Sequence, residues 1–302
     1  MDKLSQKPGK KKTSLHFTRR PSPLATLWHV LRGVSFSFDE NEFGTIEALW
    51  PRAALDQTHL DKYQAICSVP PRDTFPAFYH MTRIFSLIMR VLGHANAPLT
   101  VFRTLNTEEA VYIQRPLKIT EKPDIKCELA RYRYVKNGLE VDIIGRVMVG
   151  HETLFKTVKT FLYRGKFNGR ATPKRSLQKL ENGSEVARWT FPGNVGFRFG
   201  LISGDTNAIH YLPRYARLQG FEGAFAQPIL VMETCLQKIE AAGLLNLHAC
   251  SHKMKIHYKG PVYYEKENYL IYCESTSGHR FDIFCGDNTR PSIMFEIKKG
   301  QA

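Results

Sequence analysis

The chain has few of the features that mark secreted, membrane or metal-binding proteins. No run of about 18 apolar residues occurs, because Arg, His or Glu interrupts the longest apolar stretches, so no membrane span is expected. The N-terminus lacks the apolar segment of a secretory signal. Six cysteines (Cys67, Cys127, Cys235, Cys250, Cys273 and Cys285) show no paired or CxxC spacing. They read as reduced thiols of a cytoplasmic protein, and neither a disulfide framework nor a zinc ribbon is expected. Acidic residues are also scarce: 28 Asp and Glu stand against 43 Lys and Arg, a net charge of +15.

The remainder is ordinary for a globular chain of 302 residues, 43% hydrophobic and 24% charged, which can bury a substantial core. The first 20 residues carry seven basic side chains against Asp2 alone. Residues 1–22 therefore read as a disordered basic tail. A sharper reading of the charge is a polyanionic partner such as an acidic carrier protein. Neither a helix-turn-helix pattern nor an aromatic-plus-basic signature accompanies it, so no nucleic acid is expected.

Two similar halves follow. In residues 23–163, short helices are expected over 24–31 and 59–67, with a strand near 34–38. A long apolar helix follows Pro76, and strands are expected over 110–114, 125–135, 139–149 and 154–163. Asn137-Gly138 is a hairpin signal between the second and third of these strands. Residues 164–182 are polar and basic and read as a linker. In residues 183–302, Gln227-Pro228 opens a second helix, and strands are expected around 254–258, 269–274, 280–285 and 292–297. In both halves a proline-started core helix precedes a strand that ends in a proline turn, at Pro116 and Pro261. The pattern is α+β, with two long helices each set against antiparallel strands.

The chemistry concentrates in Ser203-Gly204-Asp205-Thr206-Asn207-Ala208-Ile209-His210. A carboxylate and an imidazole five positions apart can share one water, Asp205 as base and His210 as its acid/base partner. Asn207 can hold Asp205 or the turn. Gly204 permits close approach of the chain to a substrate. Taken singly, Asp205 as a turn residue and His210 as a satisfied histidine are commoner outcomes.

This segment, with Tyr215-Ala216 and Gly220-Phe221 after it, resembles the MaoC-like hydratase motif over about 35 residues, through Leu230. The resemblance implies a double hot-dog: a degenerate N-terminal unit over 23–163 and a catalytic unit over 183–302. It implies interconversion of (R)-3-hydroxyacyl and trans-2-enoyl thioesters carried on coenzyme A or acyl carrier protein. No metal or redox cofactor is implied. The catalytic residues would be Asp205 and His210, supported by Ser203, Gly204 and Asn207. The first half has no such pair, Asp56 and His59 being too close together, so one active site per chain is expected. Two positions depart from the family pattern. Ala208 replaces a proline of the turn, and Gln227-Pro228 replaces a His-Gly whose glycine N–H binds the thioester carbonyl. Proline has no N–H; the Gln227 side chain or the N–H of Ile229 or Leu230 would have to serve.

Phe78, Met81 and Phe85 are candidate walls of an acyl tunnel. Alternatives are a thioesterase on the same fold, using Glu222 or Glu233, and a catalytically weak acyl-binding protein. Homodimerisation is left open.

Overall fold

In the computed structural model of the chain, residues 9–32, 44–94, 96–97, 99, 101, 104–167, 177–247, 251–275 and 278–300 are described. Eleven strands form one sheet: β1 (Gly9–His16), β2 (Gly44–Trp50), β3 (Thr104–Ile113), β4 (Asp124–Val135), β5 (Gly138–Val149), β6 (Glu152–Arg164), β7 (Ser184–Thr190), β8 (His252–Tyr258), β9 (Glu267–Ser275), β10 (Gly278–Cys285) and β11 (Ile293–Lys299). Their spatial order is β1-β2-β4-β5-β6-β3-β8-β11-β10-β9-β7. Every pairing is antiparallel except β1 with β2.

This order is two copies of one plan. The first lobe runs β2, helix α3 (Tyr79–Leu92), then β3 to β6; the second runs β7, helix α6 (Pro228–Ala241), then β8 to β11. In each lobe the second strand in sequence lies at the centre of the sheet, and β3 pairs with β8 to join the lobes, Glu108 opposite His257 through Ile113 opposite His252. A small bridge repeats as well. Thr74 pairs with Lys118 before α3, and Phe225 pairs with Tyr263 before α6. The two proline-marked units of the sequence are thus structural equivalents.

The two long helices owe their place to composition. In α3 every residue except Arg90 is buried, as an apolar surface on all sides requires. The Arg83 guanidinium sits 4.9 Å from the Phe75 ring centroid and 5.2 Å from that of Tyr79, and donates to the Ala54 carbonyl. Its charge thereby meets aromatic faces and a carbonyl dipole in place of water. Helix α6 starts with proline at its first position, as expected of that residue. The shorter helices are α1 (Pro23–Arg32), α2 (Gln57–Cys67), α4 (Val195–Ser203) and α5 (Pro213–Leu218). The α2 N-cap is Asp56, whose Oδ1 accepts from the His59 N–H, so this residue pair has a structural task.

Residues 1–22 are not a disordered tail throughout. Gly9–His16 is an edge strand, with Lys12 3.8 Å from Glu47 and with Leu15 and Phe17 packed on the core. Alternation of Thr13, Leu15 and Phe17 toward the protein outweighs the lysine content. The strand expected near 34–38 lies outside the described residues. The described ends of the linker are anchored: Phe167 packs on Tyr134 and Tyr163, and the Leu180 N–H donates to Asp282 Oδ2. No described helix is long and apolar enough to cross a membrane.

Candidate active site

Helix α4 delivers the acid/base turn. It ends at Ser203 because Gly204 adopts φ +82°, a left-handed conformation, and its N–H closes on the Gly200 carbonyl. A Cβ on Gly204 would lie 2.8 Å from Ser86 Oγ of α3. The glycine therefore admits the core helix, not a substrate, which corrects the expectation from sequence. Ser203 Oγ accepts from the Asp205 N–H at 3.1 Å, and the Asn207 N–H reaches Asp205 Oδ1 at 3.4 Å. Asn207 Oδ1 caps the 3-10 turn 208–210 by accepting from the Ile209 N–H.

Asp205 and His210 come together. His210 Nε2 lies 3.3 Å from Asp205 Oδ2, with both side chains almost fully removed from solvent. The other ring nitrogen, Nδ1, is 2.9 Å from the Phe225 carbonyl. A carbonyl only accepts, so Nδ1 carries a proton and Nε2 is the nitrogen that can exchange one. The Phe225 ring meets the imidazole edge-on at 4.9 Å and fixes its plane.

Both residues border a cavity of about 290 Å³ at the junction of the lobes. Phe85, Met89 and Leu92 of α3 supply one apolar wall, and Phe225, Ile229 and Val262 of the second lobe supply another. Of the three expected tunnel residues only Phe85 reaches it. Phe78 and Met81 are fully buried core: Met81 stands one turn before Phe85 on the same helical face and Phe78 precedes the helix, so the cavity stops short of both.

The carbonyl-binding candidates separate too. The Gln227 side chain is completely buried, donates to the Gly196 carbonyl at 2.7 Å and lies 3.4 Å from the Tyr264 hydroxyl. It does not border the cavity, so Gln227 is a strut and not an oxyanion donor. Ile229 does border it, at the second position of α6. A helix's first amides have no acceptor within the helix, and Gln227 makes no side-chain cap; of the residues whose amides this leaves, Ile229 borders the cavity and Leu230 does not.

Neither thioesterase candidate lies at the cavity. Glu233 is buried in the core, where it accepts from the Tyr63 hydroxyl and the Phe78 N–H, and burial pushes its carboxyl above the ordinary range. Glu222 pairs with Lys266 at 2.8 Å near the surface.

Several supports were not visible in the sequence. Tyr264 donates to the His210 carbonyl at 3.0 Å. Gly196 lets that carbonyl approach, since a Cβ there would lie 2.0 Å from it. Arg20 and His59 both hold the Ile202 carbonyl, which directly precedes the turn. Only the glycine spacing in 196–204 hinted at such close packing.

Together, the repeated lobes, each a long helix set against antiparallel strands of one continuous sheet, define a double hot-dog fold. No family model matches the chain. The 3-hydroxyacyl-thioester dehydratase X of Mycobacterium tuberculosis is 26% identical over 204 residues, 67% of this chain and 71% of that protein. The crystal structure of HtdX from Mycobacterium tuberculosis superposes with a TM-score of 0.71 at 21% identity, covering 83% of this chain and 99% of that one. A MaoC-like dehydratase from Phytophthora capsici gives 0.63 at 15% identity over 85% and 95% of the two chains. The peroxisomal multifunctional enzyme type 2 from Drosophila melanogaster gives 0.61 at 15% identity over 84% of this chain and 48% of that one. The chain thus shares the double hot-dog fold of these structures.

Proposed function

We propose that the protein is an acyl-thioester dehydratase/hydratase that interconverts (R)-3-hydroxyacyl and trans-2-enoyl thioesters. The observation that carries this reading is the contact of His210 Nε2 with Asp205 Oδ2 at 3.3 Å on the wall of an apolar cavity. Homology to a 3-hydroxyacyl-thioester dehydratase supports it.

In the hydration direction Asp205 takes one proton from a water held between the two side chains, and the oxygen adds to C3. The C2=C3 electron pair moves toward the thioester carbonyl, whose oxygen gains negative charge and accepts from the Ile229 N–H. C2 then takes a proton from Nε2 of the protonated His210, and the Asp205 proton returns to Nε2. Dehydration reverses each step. His210 keeps its Nδ1 proton on the Phe225 carbonyl throughout, so only Nε2 changes state. The thioester arrives on coenzyme A or a carrier protein, and a chain of net charge +15 is complementary to the acidic partner in either case.

Purified protein is expected to consume the enoyl absorbance of trans-2-enoyl-CoA. Asp205→Asn and His210→Ala are each expected to slow this by at least about 100-fold. Equal rates for wild type and both variants would refute the assignment. Thiol release without hydration would identify a thioesterase instead.

A further inference from the structure

Single large apolar side chains are commonly left in water, but a group of them on one face is not. Among the described residues seven are exposed: Leu24, Trp28, Tyr112, Phe197, Leu201, Leu212 and Leu218. Six of them, all but Tyr112, come from two stretches of chain, 24–28 and 197–218, that fold against each other. Helix α1 packs on α4, α4 packs on the 3-10 turn 208–210, and that turn packs on α5. At one end of α4 the Arg20 side chain, just before α1, donates to the Ile202 carbonyl beside Leu201. At the other end the Phe197 ring lies 5.2 Å from the ring of Tyr211, the neighbour of Leu212. Residues four apart share a helix face. Leu24 with Trp28 and Phe197 with Leu201 have that spacing, so α1 and α4 each turn an apolar pair outward. Helix α5 adds Leu218, 82% exposed.

The same stretches are basic. Arg19, Arg198, Arg214 and Arg217 are exposed, and the one acid within 17–28 and 195–221 is Asp205, which is buried. Glu222, the next acid along the chain, is paired with Lys266. Packing within the chain accounts for part of Phe197, through Tyr211, yet leaves that ring 49% exposed. None of the six apolar side chains borders the cavity that holds Asp205 and His210. A second copy of the chain is a poor cover for this face. A two-fold contact sets a patch against itself, so arginine would meet arginine with no exposed acid of these stretches to pair it. An anionic bilayer surface meets both parts of the pattern, headgroup phosphates taking the guanidinium groups and the acyl boundary taking Trp, Phe and Leu.

We propose that this face, formed by α1, α4 and α5, docks the protein reversibly on an anionic lipid surface. Leu24, Trp28, Phe197, Leu201 and Leu218 enter the headgroup layer, and Arg198, Arg214 and Arg217 pair with lipid phosphates. The contact is superficial, since no described helix is long and apolar enough to cross a membrane. The docking face shares α4 with the turn that carries Asp205. The proposal does not depend on the reaction assigned to the cavity.

The test is co-sedimentation of the whole protein with vesicles of phosphatidylcholine alone and of equal parts phosphatidylcholine and phosphatidylglycerol. Binding is expected to the anionic vesicles and is expected to weaken as salt rises from about 0.1 to about 0.5 M. Arg198→Gln with Arg214→Gln is expected to lower it about 25-fold, about fivefold for each charge removed. Trp28→Ser with Leu218→Ser is expected to lower it at least about tenfold. All four side chains are exposed, so far-UV circular dichroism should match wild type in both double variants. Wild type that binds neither kind of vesicle would overturn the proposal. Full binding retained by both double variants would overturn it too, and would assign the contact to another basic surface. Sedimentation velocity covers the rival occupant. A dimeric wild type that ignores vesicles, with a monomeric Trp28→Ser/Leu218→Ser variant, would make this face a contact between copies of the chain instead.

Discussion

His210 is held at four points: Nδ1 on the Phe225 carbonyl, the ring T-shaped against Phe225, Nε2 against Asp205, and its own carbonyl under the Tyr264 hydroxyl. Gly196 gives that carbonyl its room. In Gly196→Ala the new Cβ would lie 2.0 Å from the His210 oxygen and 2.6 Å from the Tyr264 hydroxyl, and both are fixed. His210 must shift, and a displacement of about 1 Å at a reacting group lowers turnover roughly 100-fold. We expect that loss in kcat with far-UV circular dichroism unchanged; wild-type kcat would show that Gly196 has no part in aiming the imidazole. At this scale the sequence disclosed the pair and hid its supports. Asp205 and His210 are local to one turn, whereas the partners that orient His210 lie 15 and 54 positions away. No local pattern encodes such distances.

At the start of α6 the proposed carbonyl grip falls to an element and not to a side chain. Pro228 removes one amide, but Ile229 at the second position borders the cavity and Gln227 leaves its amide uncapped. Pro228→Ala restores an N–H. Because the proposed donor is the Ile229 amide, which the native helix start already has, kcat is expected to change by less than about threefold, against the roughly 100-fold that a missing oxyanion donor costs. A rise of that larger size in the variant would show that the native helix start fails to grip the carbonyl. Elements were legible where composition and period agree, as in α3, α6 and the β4–β5 hairpin. Others were not, β2 and α5 among them. Strand β1 is lysine-rich because edge strands carry charge against unwanted pairing. Strand β7, at the opposite edge, has no fully buried residue and so no apolar alternation. Helix α4 contains Gly196 and Gly200, poor helix formers retained for close packing, a Cβ on Gly200 meeting the Asp205 carbonyl at 2.8 Å.

Across the whole molecule, buried titratable groups set the pH range of stability. Burial, then the nearby Arg20, pushes the His59 imidazole down to about 4. Burial, then Arg83, pushes His80 down to about 3. Both bind protons more weakly when folded, so the stability they contribute is full above the ordinary imidazole pKa and is lost as pH falls toward those values. Glu233 works in the opposite sense. Burial raises its carboxyl, so its contribution is present below the ordinary carboxylate pKa and is lost as pH rises through the raised value. Urea midpoints measured between about pH 4 and 9 should fall on both sides of a maximum. Glu233→Gln, which keeps an oxygen for Tyr63 and Phe78, should flatten the alkaline limb; His80→Phe should flatten the acid limb. Limbs unmoved by these variants would assign the pH dependence to other groups.

The β3–β8 seam has a kinetic consequence. Glu108 and His257 pair from distant parts of the chain, so the join between lobes closes a long loop and forms late. Until it closes, two complementary strand edges stand open and the cavity has only one set of walls. On dilution from urea, secondary structure should return before activity, the lag measuring lobe docking; simultaneous recovery would contradict it. At high protein concentration the open edge of one molecule can take the partner edge of another. Refolding there should yield exchanged dimers with unchanged activity per chain, since each site then draws one lobe from either molecule.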